Sequence, residues 1–85
     1  MCKQRIPHSV KCLALKANEG MKIDTRGLDC IVKAKDNEIF IKAKKSESDA
    51  DAFPVCAGES IELAGEFTVF AKQDTNVYCL FYGTL

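Results

Sequence analysis

The stretch that decides the fold is Phe53–Tyr82, with the sequence FPVCAGESIELAGEFTVFAKQDTNVYCLFY. It contains three runs in which apolar residues alternate or cluster, and such runs are typical of short strands. Pro54 lacks a backbone donor, which places the lead-in segment at an edge of the sheet or outside it. The dipeptide Ala64-Gly65 predicts a tight hairpin, and Gln73–Asn76 predicts a four-residue turn before the last strand.

The chain before this stretch has the same character. Clear strand patterns cover Ser9–Lys16, Leu28–Lys35 and Glu38–Lys44, and Met21–Asp24 is a short candidate strand. The polar pair Asp36-Asn37 lies between two β-rich runs and predicts a hairpin there. We expect both parts of the chain to contribute strands to one sheet system.

The fold class that follows is all-β, a small antiparallel β-sandwich or barrel of about seven short strands. No segment has a sustained helical period with a cap at each end. With 85 residues the chain forms a single domain over residues 1–85. We expect residues 1–8 to fray, since they are polar and contain Pro7.

Composition excludes several classes of function. The chain has 12 basic and 12 acidic side chains, so it lacks the basic excess that nucleic-acid binding needs. No apolar run is long enough to span a membrane. Five cysteines leave at least one thiol unpaired, and the polar start argues for synthesis in the cytoplasm, where thiols stay reduced. We expect core or half-buried free thiols rather than disulfides or metal ligands.

The last strand carries two apolar faces. Its Cys79 and Phe81 fit a core, which we predict to include Ile39, Ile41, Ile61, Leu63, Val69, Cys79 and Phe81. The opposite face, predicted to mediate self-association, consists of Phe70, Tyr78, Leu80 and Tyr82. A domain this small has one interior, so a second apolar face needs another cover. A copy of the same chain or a loop or strand of the same chain could provide it.

No pattern in the chain predicts catalysis, a cofactor or a metal site. His8 has no visible partner, and the cysteines lack the paired close spacings of zinc sites. The acidic positions 47, 49 and 51 are best read as a solvated loop. A basic hairpin face is either a polyanion contact or a solvated, edge-guarding face, and it consists of Lys33, Lys35, Lys42 and Lys44.

The segment Leu28–Tyr82 resembles small structural proteins of tailed bacteriophages, such as head-decoration, head-fibre-like or tail-associated modules. The likeness lies in Ile39-Phe40-Ile41, in Val55–Leu63 (VCAGESIEL), and in the strand pair Phe67–Ala71 and Val77–Tyr82. It implies a β-sandwich without catalysis, made in the bacterial cytoplasm and assembled on a virion as a trimer or larger ring.

These observations together predict a non-enzymatic structural protein of a phage or prophage particle. It would be a decoration, fibre or tail accessory that self-assembles through an apolar sheet face, with other virion proteins as further partners. The alternative is a β-module that binds carbohydrate or peptide through Tyr78, Tyr82 and the Gln73–Asn76 turn, although the chain has no tryptophan.

Overall fold

The computed structural model describes residues 4–43 and 52–84. These two ranges contain six strands and no helix. The strands are β1 (Arg5–Leu15), β2 (Met21–Ala34), β3 (Ile39–Lys42), β4 (Phe53–Val55), β5 (Ser60–Ala71) and β6 (Thr75–Thr84). The predicted small all-β fold is therefore confirmed.

The six strands form one antiparallel sheet in the order β1-β6-β2-β5-β3-β4. β1 and β4 are the edge strands. Pro54 lies in β4 opposite Phe40, and this confirms the edge position predicted from its missing donor.

β2 and β5 pair with each other in two separate segments. Met21–Asp24 pairs with Glu66–Val69, and Asp29–Lys33 pairs with Ser60–Ala64. β6 pairs only with the second half of β2, and β3 pairs only with the second half of β5. Buried side chains of both parts belong to one core, so the sheet curls over itself at these bends.

The bends correct two sequence predictions. Gly65 does not close a hairpin, because β5 runs on through it with a φ of +89° and both halves of β5 pair with β2. Likewise, Met21–Asp24 and the following strand are one strand, β2, interrupted by a register shift between Asp24 and Asp29. The described residues therefore contain four strands of 10 to 14 residues and two short ones, β3 and β4, where the sequence suggested about seven short strands.

The hairpin predicted at Asp36-Asn37 is also absent. β2 and β3 are consecutive in the chain but do not pair, because β5 lies between them. β5 and β6 are likewise separated by β2, so the segment after Ala71 crosses between strands instead of closing a hairpin. Turn residues therefore indicate where a strand ends, whereas the packing of the core determines which strand the next one pairs with.

The amino-terminal strand begins earlier than expected. Arg5–His8 belong to β1, although fraying was predicted for residues 1–8, of which 1–3 lie outside the described residues. The reason is that β6 extends to Thr84 and offers Arg5, Ile6 and Pro7 a partner each. Pro7 sits next to a register shift at the edge of the sheet, where its missing donor costs least.

The core lies on the concave side of the curled sheet. Every strand contributes to it, and its fully buried members include Cys30, Val32, Ile39, Val77 and Cys79. Of the predicted core residues, Ile39, Ile41, Val69, Cys79 and Phe81 are buried, while Ile61 and Leu63 are partly buried and pack against the cluster.

Candidate functional site

The convex face of β6 and its neighbours carries an apolar patch outside the core. Val10 of β1 lies opposite Leu80, which in turn lies opposite Ile31 of β2. One step along, Cys12 lies opposite Tyr78. We call this set, Val10, Cys12, Ile31, Tyr78 and Leu80, the outer patch.

The outer patch is accessible to solvent. Val10 is 70% exposed, which is the largest exposure among the big apolar side chains of the described residues. Cys12 is also exposed, while Ile31, Tyr78 and Leu80 are half-buried by their neighbours on the same face. Two of its five members, Tyr78 and Leu80, were predicted from the sequence.

Tyr82 lies on the same face but is covered by its own chain. The Arg5 guanidinium lies 5.3 Å from the centre of the Tyr82 ring and forms an ion pair with Glu62. The Tyr82 hydroxyl donates a hydrogen bond to Glu62 Oε2 at 3.1 Å, and only 3% of the residue is exposed. Burial, and then the nearby carboxylate, raise the pKa of Tyr82. Tyr82 therefore lies at the border of the outer patch and is not accessible to a partner molecule.

Phe70 is not part of the outer patch. It was expected beside β6, but β2 separates β5 from β6, and Phe70 lies opposite Phe40 of β3 instead. The two rings stack with centroids 5.3 Å apart, and the ammonium groups of Lys42 and Lys72 lie over them. Phe70 is only 6% exposed, so its own half of the sheet already covers it.

The lysines predicted to share one basic face are dispersed. Lys33 lies opposite Ser60 of β5, and Lys42 lies opposite Thr68 of the same strand. Those partners are eight positions apart and lie on opposite sides of the β5 bend at Gly65. Lys35 lies over the Tyr78 ring at 5.6 Å, and its hydrogen bond to Tyr78 raises the pKa of the lysine. Lys44 lies outside the described residues.

The four cysteines in the described ranges are free thiols of two kinds. Cys30 and Cys79 are fully buried on neighbouring strands, where their hydrogen bond and then burial raise the pKa of Cys79. Cys12 and Cys56 are exposed, which corrects the expectation that they are core or half-buried. Cys12 is exposed because it falls on the convex face of an edge strand.

Within the described ranges, no group of three or more histidine, cysteine or acidic residues is placed to hold a metal ion. The same part of the chain has no helix with the length and hydropathy needed to cross a membrane. The acidic positions 47, 49 and 51 lie outside it.

No protein-family model, curated protein or solved structure matches this chain. The resemblance of Leu28–Tyr82 to structural proteins of tailed phages therefore rests on the residues alone.

Sequence reasoning missed three members of the outer patch. Ile31 lies in the apolar run Cys30–Val32, which is the same signal that revealed two faces in β6. Val10 and Cys12 alternate with Lys11 on β1, but only the pairing of β1 with β6 puts them beside Leu80 and Tyr78. The covering of Phe70 and Tyr82 left no local signal, because it depends on side chains of other strands.

Proposed function

We propose that this protein is a non-enzymatic structural component of a phage or prophage particle that self-assembles through the outer patch. The observation that carries the proposal is an apolar patch on the convex side of a sheet whose concave side already holds a complete core. Aliphatic side chains from three adjacent strands, Val10, Ile31 and Leu80, form its centre. The assignment to a phage or prophage particle is based on the resemblance of Leu28–Tyr82 to structural modules of tailed phages.

A second copy of this chain is the partner that the surface chemistry favours. Apolar area withdrawn from water contributes roughly 25 cal/mol per Å² before the costs of association are subtracted. Stable interfaces bury about 800 Å² on each partner, so residues around the patch must join the contact. A formal net charge of zero imposes no long-range repulsion between identical subunits.

The patch border gives the contact a polar rim. Arg5 and Glu62 are paired on one side, and Lys33 and Lys35 lie on the other. Interfaces commonly combine an apolar centre with such a rim. The assembly we propose is a homo-oligomer, a trimer or larger ring, to which other particle proteins attach.

The test is sedimentation velocity on aspartate variants within the patch. Val10→Asp and Leu80→Asp each place a carboxylate in the contact, and we expect both variants to sediment as monomers. Val10→Asp is the cleaner of the two, because an exposed side chain contributes little to the fold of the subunit.

Phe53→Asp is the matched control. Phe53 is 59% exposed, apolar and located on β4 at the opposite edge of the sheet. We expect this variant to keep the mass of the parent. Circular dichroism of all three variants should show an intact β fold. If Val10→Asp and Leu80→Asp sediment like the parent oligomer, the outer patch is not the interface. A monomeric parent would favour the binding-module alternative.

A further inference from the structure

A cleft of about 390 Å³ opens between β1 and the bend of β2. Its β1 side carries His8 and Lys11, and its β2 side carries Asp24 and Arg26. Leu28 and Phe81 supply its apolar lining. Phe81 alternates with Leu80 along β6, so the cleft lies on the opposite side of β6 from the outer patch.

Both strands that border the cleft, β1 and β2, have an irregular pairing register at the cleft. In β1 the register shifts between Pro7 and Ser9, so His8 is an extra residue with no partner across the ladder. In β2 the register shifts between Asp24 and Asp29. Strand irregularities of this kind redirect side chains and occur often beside functional sites.

Arg26 sits in a backbone conformation that arginine rarely adopts. Its φ is +53°, in the left-handed region that favours glycine or asparagine. The Asp24 side chain stabilises this turn, because Asp24 Oδ1 accepts a hydrogen bond of 2.9 Å from the Arg26 backbone N–H. Strained backbone conformations are common at functional sites, so the conformation of Arg26 beside the cleft favours a functional role for the Arg26 side chain.

The cleft carries more positive than negative charge. His8, Lys11 and Arg26 supply basic groups, and Asp24 supplies the one carboxylate of its lining. Among the described residues, none of the three basic side chains forms an ion pair. The Lys11 ammonium lies over the Phe81 ring at 5.7 Å, which holds a cation next to the apolar lining.

We propose that this cleft binds a small organic phosphate with a flat apolar body. The phosphate lies between the Arg26 guanidinium, which matches its oxygens as a two-pronged donor, and the Lys11 ammonium. The apolar body packs against Leu28 and Phe81. A doubly charged phosphate suits the two cations Lys11 and Arg26 better than a single carboxylate does, because it compensates the charge of both. The site is independent of the proposed self-assembly, since it uses the other side of β6.

The experiment is a titration of the ¹⁵N-labelled full chain with phenyl phosphate, followed by amide chemical shifts. We expect saturable shifts confined to residues 8–11, 24–28 and the neighbourhood of Phe81. Inorganic phosphate should shift the same amides with weaker affinity, because it lacks the body that packs on Phe81. Benzoate should bind more weakly than phenyl phosphate, because it carries one charge.

Three variants locate the site. Arg26→Asn removes the guanidinium and replaces it with a residue that tolerates the left-handed backbone, so the fold should persist. We expect Arg26→Asn and Lys11→Gln each to weaken phenyl phosphate binding about tenfold. Lys33→Gln removes the same charge from the convex face of β2 and should bind like the parent. Absence of saturable shifts, or equal affinity in Arg26→Asn, Lys11→Gln and Lys33→Gln, would overturn the proposal.

Discussion

Two buried threonines, Thr25 and Thr75, differ in what their hydroxyl groups contact. Thr25 is 2% exposed, and its Oγ1 accepts a 2.8 Å hydrogen bond from the Gly65 backbone N–H. Thr75 is almost as buried, yet its Oγ1 has no hydrogen-bond partner among the described residues. A buried hydroxyl without a partner costs free energy, whereas a paired one contributes a modest net gain.

The same chemical change should therefore have opposite effects at the two sites. Thr25→Val leaves the Gly65 N–H without its acceptor and should lower the free energy of unfolding by about 1–3 kcal/mol. Thr75→Val removes an unsatisfied group and should leave stability unchanged or raise it by up to about 1 kcal/mol. Urea denaturation of both variants measures the difference. A Thr75→Val protein as destabilised as Thr25→Val would mean that the Thr75 hydroxyl is bonded.

At the scale of single residues, alternation within a strand predicted burial at most of the core positions. Ile39, Ile41 and Val69 are buried as their period-two pattern indicated. The covering of Phe70 and Tyr82 was not predictable, since Lys42 lies on β3 and Arg5 lies on β1, and only the strand order brings them over these two rings.

At the scale of elements, the architecture depends on matched bends in β2 and β5. The β2 bend presents Thr25, and the β5 bend presents the Gly65 N–H that donates to it. This bond ties the two bends together where the ladder between Asp24 and Asp29 is interrupted. The bends let one continuous sheet enclose a core.

Gly65→Ala tests the bend of β5. The position has a φ of +89°, and a Cβ built there meets nothing within 4 Å, so the cost is conformational and not steric. We expect a loss of about 1 kcal/mol or more, read from the urea midpoint.

Gly83→Ala is the control for this substitution. Gly83 lies in β6 without a positive φ, and its added Cβ would reach Leu28 Cδ2 at 4.0 Å, an ordinary contact. This variant should be as stable as the parent or slightly more stable. Equal destabilisation at Gly65 and Gly83 would contradict the role given to the Gly65 conformation.

The sequence predicted the positions of the strands better than it predicted which strands pair with each other. A glycine inside an alternating segment predicts a hairpin or a bulge equally well, and Ala64-Gly65 proved to be a bend. Which strand pairs with which depends on how the whole set of apolar faces closes around one core. That is why the two predicted hairpins are absent while their strand segments are present.

At the scale of the molecule, the notable feature is apolar surface on both sides of the central strands. The concave side forms the core, and the convex side carries the outer patch. The sequence predicted a surplus apolar face from β6 alone, but it assigned two residues that the chain covers itself. Compared with the prediction, the outer patch includes fewer residues of β6 and additional residues of β1 and β2.

The most direct test of self-assembly is the absolute mass of the unmodified protein, measured by light scattering behind a sizing column under reducing conditions. The subunit mass is 9.4 kDa. We predict a single species at three times that mass or a larger whole-number multiple, stable on dilution. A monomer of 9.4 kDa at all concentrations would contradict the proposal that the outer patch joins copies of this chain.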